Sequence, residues 1–425
     1  MNEMQPLSAR ANNAWTWNAP YYVKAGAVII CGYLIFVHLW LWILSYPLYV
    51  RGRADFRELY TAGYMLRNGY GHQLYNPDLQ RKLENVGVGP SDTPLPFNHL
   101  AYESLIFAPL SQFSYRTAYL IFLLVNVALV TGCFRLLQPW MGNLARVYWW
   151  LPAALYIAFL PIAVALIQGQ DSIILLTLLA LSFALLEREQ EIMAGGLVGL
   201  AVFKFQIAIP IFLLFLCWRR WRFVGGFAVS AGSALTVSTL LVGIAQINFY
   251  AHSLLAISVN ATRSDYLRNA IAPNNMPNLR GLIFGLAEHH LANFWLQALV
   301  AIASITLFIW ISMQAQFRRG SESLLVAIIA ATLLSYHLFT HDLAILFVPL
   351  AWALNRYIVS EPSGSKGEKA IIRSGVLAFC APLLECFFPR EIYLVSFPLL
   401  GFLIMFCREH HKPRNQLNPF PAHST

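Results

Sequence analysis

The chain has 425 residues, 58% of them hydrophobic and only 12% charged, with a formal net charge of +9. That composition leaves too little polar surface to cover a water-soluble globule of this size, so it specifies a polytopic membrane protein. The basic excess is scattered over short loops and not gathered on one segment, which excludes a nucleic-acid-binding patch.

Residues 1–24 form a polar and aromatic head, and the apolar segment after it is too long for a cleavable signal sequence. The first span is therefore expected at 25–48. Further spans follow near 116–137, 147–166, 170–187, 223–244, 292–315, 322–338, 341–357, 371–388 and 391–407. The expectation is an all-α bundle of about 10–12 spans, a single membrane domain over 1–425 with a tail at 408–425. The cysteines Cys31, Cys133, Cys217, Cys380, Cys386 and Cys407 lie in apolar segments without CxxC spacing and read as packing residues.

The first long loop, 49–115, has structure of its own. In GRADFRELYTAGYMLRNGYGHQLY, residues Phe56, Leu59, Tyr60, Tyr64 and Met65 recur at helical spacing and predict an amphipathic helix lying in the membrane interface. Asp55 at its start is either an N-cap or a carboxylate placed to face both water and lipid headgroups. His99 and Glu103 are spaced i, i+4 and share one helix face, ahead of the short apolar piece SLIFAPLSQF.

Segment 193–218, MAGGLVGLAVFKFQIAIPIFLLFLCW, is long enough for one crossing. A single crossing would set Arg219, Arg220 and Arg222 opposite the other arginine-rich loops, against the positive-inside tendency. A re-entrant hairpin bending near Lys204 places all the short basic loops on one side, which we assign to the cytoplasm. The loop 49–115, the turn Gln168-Gly169-Gln170-Asp171, the loop 246–280, Lys204 and the group His337, His341 and Asp342 then meet on the opposite face. Each alone reads as a solvated loop end. Together they read as a site, because ionisable groups near hydrocarbon are costly.

The ordered set of Asp55-Phe56 with Tyr60 and Ala62, Gly69, Leu74-Tyr75, Asn98-His99-Leu100-Ala101-Tyr102-Glu103, Gly169-Gln170-Asp171-Ser172, Ala194-Gly195 with Gly199-Leu200-Ala201 and Lys204, Met276-Pro277-Asn278-Leu279-Arg280-Gly281, His337 and His341-Asp342 resembles glycosyltransferase family 87. The likeness extends over about residues 50–355. It implies a GT-C type integral-membrane enzyme that moves a sugar, usually mannose, from a polyprenyl phosphate to an acceptor hydroxyl of a lipid or glycan. Transfer would occur with inversion, on the outer face of a bacterial inner membrane.

By that likeness Asp55 is the general base, with His337 and His341 beside it. The substrate-binding candidates are Arg57, Tyr60, His99, Glu103, Gln170, Asp171, Lys204, Arg280 and Asp342, with Lys204, Arg280 or Arg57 as cations for the donor phosphate. No cofactor is expected. A divalent metal on His337, His341 and Asp342 is the weaker alternative. The rival function is a transporter or flippase of a lipid-linked saccharide, which shares broken helices and intramembrane charge. The long outer loop and the lack of a repeat relating the two halves favour an enzyme.

Overall fold

The computed structural model describes residues 21–90, 95–259, 273–358 and 366–410. The expected head at 1–24 and tail at 408–425 fall almost wholly outside the described residues, as does the centre of the loop 246–280. Every regular element among the described residues is helical. Backbone polar groups that cannot reach water are satisfied within the helices themselves.

Seven helices among the described residues are long and apolar enough to cross a membrane. An eighth arises if Leu151–Ala158 and Leu160–Gln168, bent by 56°, count as one span. The first of them, Tyr21–Leu48, turns Ile29, Phe36 and Ile43 outward, each more than 60% exposed. Such a surface is stable only against hydrocarbon. Cys217 and Cys386 lie at the surface and not in the packed interior expected for them, whereas Cys31, Cys133 and Cys407 are buried.

Three expected spans come out shorter. Ser172–Leu186, Glu322–Leu334 and Phe347–Tyr357 have 15, 13 and 11 residues. At 1.5 Å per residue even the longest reaches only about 22 Å, against a hydrocarbon core of about 30 Å. Among the described residues the helices of spanning length and composition thus number seven or eight, against the 10–12 spans expected. The cause is burial: every residue from Leu324 to Ala331 is fully enclosed. The stretch from Leu324 to Leu333 lies at the centre of the protein, and it is apolar but for Thr332 because other helices surround it.

Glu191–Cys217 passes by length and composition as one crossing of 27 residues. Its ends nevertheless meet, since Arg220 Nη2 lies 2.6 Å from Glu191 Oε1. A straight helix of that length would hold them about 40 Å apart. The chain therefore reverses between Glu191–Leu200 and Phe205–Cys217, at the 3₁₀ turn Ala201–Lys204. Packing against Trp221–Val242 agrees: a Cβ on Gly195 would meet Phe223 O at 2.0 Å, and one on Gly199 would meet Phe227 O at 2.5 Å. Helix 221–242 thus runs parallel to 191–200 in backbone contact, a fit only small residues permit.

The amphipathic helix of the first loop is Phe56–Arg67. Its apolar face packs on protein: the Phe56 ring is 5.2 Å from that of Phe122 and 6.2 Å from that of Phe107. Ahead of it the chain kinks at Gly52, whose φ of +94° an L side chain rarely adopts. The kink redirects the first span so that Asp55 faces the interior of the bundle.

Candidate active site

Asp55 precedes the helix Phe56–Arg67, but its side chain makes no capping hydrogen bond. Instead Oδ2 accepts a hydrogen bond from Gln170 Nε2 at 2.8 Å and lies 3.9 Å from His341 Nδ1. The side chain is 26% exposed. Gln170 is delivered by Gly169, which ends Leu160–Gln168 in the left-handed conformation at φ +63°. A Cβ there would lie 2.9 Å from Phe56 Cβ, so glycine also lets the turn approach Asp55.

Lys204, at the apex of the hairpin, is the centre of a buried charge network. Its Nζ lies 2.9 Å from Asp171 Oδ1 and 2.5 Å from Asp342 Oδ1, and donates to Ser172 Oγ at 3.0 Å. Ser172 Oγ in turn donates to Asp342 Oδ1 at 2.8 Å. Beyond Asp171 stands His99, with Nδ1 at 3.1 Å from Asp171 Oδ2 and 2.5 Å from Glu103 Oε2. Burial opposes a charge on His99, but the Glu103 and Asp171 carboxylates overcome it and hold its pKa well above the usual imidazole value. His341 Nδ1 meets Gln168 Oε1 at 3.0 Å, and its Nε2 is 3.5 Å from Asp342 Oδ2.

These groups surround a cavity of 420 Å³. Of the residues anticipated, Asp55, His99, Gln170, Lys204, His337, His341 and Asp342 line it. Glu103 and Asp171 stand behind its wall, fully buried, where they set the charge of His99 and Lys204. Neither of them lines the cavity.

Three expectations change more. Arg57 points away, bound to Glu84, Asn85 and the carbonyls of Gly52 and Gly89, so it braces the outer loop. Burial pushes the Glu84 carboxyl up to about 7 in spite of Arg57. Tyr60 is a core residue whose hydroxyl donates to Phe113 O at 2.8 Å. Arg280 is 3% exposed and does not line the cavity. Its Nη1 donates to Tyr336 O at 2.9 Å, while Nε and Nη2 have no hydrogen-bond partner among the described residues.

Two carboxylates of the lining went unremarked in the sequence, Glu58 and Glu385. Glu58 lies three residues after Asp55 on the same helix, a spacing that repeats a face. Glu385 sits within the expected span 371–388, where an acidic residue is itself a signal of function. Among the described residues the group whose ligand atoms gather within 4.8 Å of one another is His99, Glu103 and Asp171, and not His337, His341 and Asp342. A divalent ion on it would crowd the Lys204 ammonium already held by Asp171.

No curated protein and no solved structure matches the chain. The model of glycosyltransferase family 87 matches residues 103–340, more than half of the sequence, including Gln170, Lys204 and Arg280 but not Asp55. The chain belongs to glycosyltransferase family 87 and is a membrane glycosyltransferase.

Proposed function

We propose that the cavity transfers a sugar from a polyprenyl-phosphate donor to an acceptor hydroxyl, with Asp55 as general base. The observation that carries this reading is that Asp55 begins a helix without capping it and turns a partly exposed carboxylate into the cavity. In the step, the acceptor oxygen attacks the anomeric carbon, its proton passes to Asp55, and the bond from that carbon to the phosphate oxygen breaks. The polyprenyl phosphate leaves from the opposite face, so configuration inverts.

The phosphate needs a cation, and the three anticipated ones are not equally available. Arg57 and Lys204 are engaged by carboxylates. Arg280 keeps Nε and Nη2 without hydrogen-bond partners, one edge of a fork that suits a phosphate. It would have to be reached past Tyr336, which lines the cavity. Mannose is the sugar that the family likeness suggests. The basic loops at Arg188, Arg219, Arg220 and Arg222 support a cytoplasmic side opposite the cavity, which then opens on the outer face of a bacterial inner membrane. Purified protein incubated with radiolabelled polyprenyl-phosphate mannose and a membrane lipid extract tests this reading. Labelled product is expected, and labelled donor returned intact overturns it.

A further inference from the structure

Beside the main cavity lies a second one of 190 Å³, between the first span and the bent span. Its walls are mainly apolar, with Leu41 and Trp42 on one side and Leu160, Ala163 and Ile167 on the other. Trp42 Nε1 donates to Ala163 O at 3.3 Å, which ties the two helices together at that level. The first helix is of spanning type and the bent pair is too if counted as one span, and the space lies between them. Val164, Gln168 and Glu385 line both cavities, which makes the smaller one a side arm of the larger.

Glu385 stands at the junction. Its Oε2 is buried and has no hydrogen-bond partner among the described residues. A carboxyl oxygen in that position calls for a donor. A phosphate is a poor occupant at this end of the cavity, where the carboxyl groups of Asp55 and Glu385 both face it. A neutral, hydroxylated head with an apolar tail suits both features: one hydroxyl donates to Glu385, another reaches Asp55, and the tail lies in the arm.

We propose that Glu385 and the side arm form the acceptor subsite, and that the acceptor is an amphiphile with a neutral polyhydroxylated head. This rests on the reading of Asp55 as base. It places the donor phosphate at the far wall of the cavity, toward His99, Lys204 and Tyr336. Glu385 and the first span lie outside the stretch that matches the family model, whereas Leu160, Ala163 and Ile167 lie within it.

The test uses the full chain in lipid nanodiscs and a dodecyl glucoside carrying a diazirine near the end of its alkyl chain. Cross-links are expected to concentrate on Leu41–Tyr49 and Leu160–Gln168, to be competed by plain dodecyl glucoside, and to fall in Ala163→Trp, which fills the arm. Even labelling of all lipid-facing helices, or labelling unchanged in Ala163→Trp, overturns the proposal. This arm of the experiment needs no turnover, so its failure counts against the subsite alone. A wild type that transfers to no acceptor counts against the reaction. In the second arm, alkyl glucosides from methyl to dodecyl serve as acceptors. The ratio kcat/KM should rise at least about tenfold with chain length, and Ala163→Trp should flatten that rise. Glu385→Gln should raise KM for dodecyl glucoside about tenfold, the scale of one lost hydrogen bond, with kcat little changed. No dependence on chain length together with an unchanged KM contradicts it.

Discussion

Gln170 Nε2 donates to Asp55 Oδ2 at 2.8 Å across 115 residues of sequence. An amide from the turn after the bent span thus holds one oxygen of the carboxylate and leaves the other for an acceptor proton. Gln170→Ala is expected to lower kcat about tenfold with KM little changed, because the carboxylate loses the amide that fixes its orientation. Steady-state kinetics check this, with Gln170→Glu and Gln170→Asn beside it. An unaltered kcat in Gln170→Ala would make Gln170 a packing residue.

Lys204 is matched by two buried carboxylates, Asp171 and Asp342. Lys204→Met leaves both without their counter-charge, so it should cost about 3–5 kcal/mol of stability, the range for breaking a buried ion pair from one side. The sequence reading instead offers Lys204 as a cation for the donor phosphate. The double variant Lys204→Met with Asp342→Asn should recover part of the loss. Thermal unfolding in detergent measures both, and a wild-type midpoint in the single variant would refute the network's structural role.

Glu84 gives the outer loop a pH dependence. Its carboxyl is raised from 4.5 to about 7 by burial, so the folded state binds a proton more tightly than the unfolded chain. Stability from this group is present below about pH 4.5 and is lost as pH rises through about 7. Proteolysis of the loop 49–115 should therefore be faster at pH 8 than at pH 6, and Glu84→Gln should remove most of that difference. Equal rates in the wild type at the two pH values would contradict the assignment.

Sidedness can be read with single cysteines in a cysteine-free background. Asn68, in the first long loop, and Arg188, in the basic loop after Ser172–Leu186, are both exposed. Asn68→Cys should react with an impermeant maleimide added outside intact cells, and Arg188→Cys only after lysis. The reverse pattern would place the cavity in the cytoplasm.

The sequence carried the helical class and most of the ionisable residues of the cavity lining, because polar residues inside apolar runs are few and each demands a reason. Asp55, His99, Gln170, Lys204, His337, His341 and Asp342 could be picked out in that way. Arg57 could not be excluded from the site, since its partner Glu84 lies 27 residues along the chain and loop closure leaves no local pattern. Helix periodicity did hold the information for Glu58, one turn from Asp55. Apolarity alone does not distinguish hydrocarbon from protein interior, so the buried helix Glu322–Leu334 was counted as a span. The partition of the cations was hidden as well. Whether Lys204 or Arg280 is free depends on contacts made across the fold by Asp171, Asp342 and Tyr336.

The central claim is that Asp55 takes the acceptor proton, and Asp55→Asn tests it most directly. Asparagine keeps the size and can still accept from Gln170, and no capping bond is lost because the aspartate makes none. Transfer from polyprenyl-phosphate mannose should fall at least about 100-fold, the lower end of what general-base help contributes, with donor binding and the unfolding midpoint near wild type. Transfer within a few-fold of wild type would contradict the account and move the base to Glu58 or Glu385, the other carboxylates on the cavity wall without a lysine beside them.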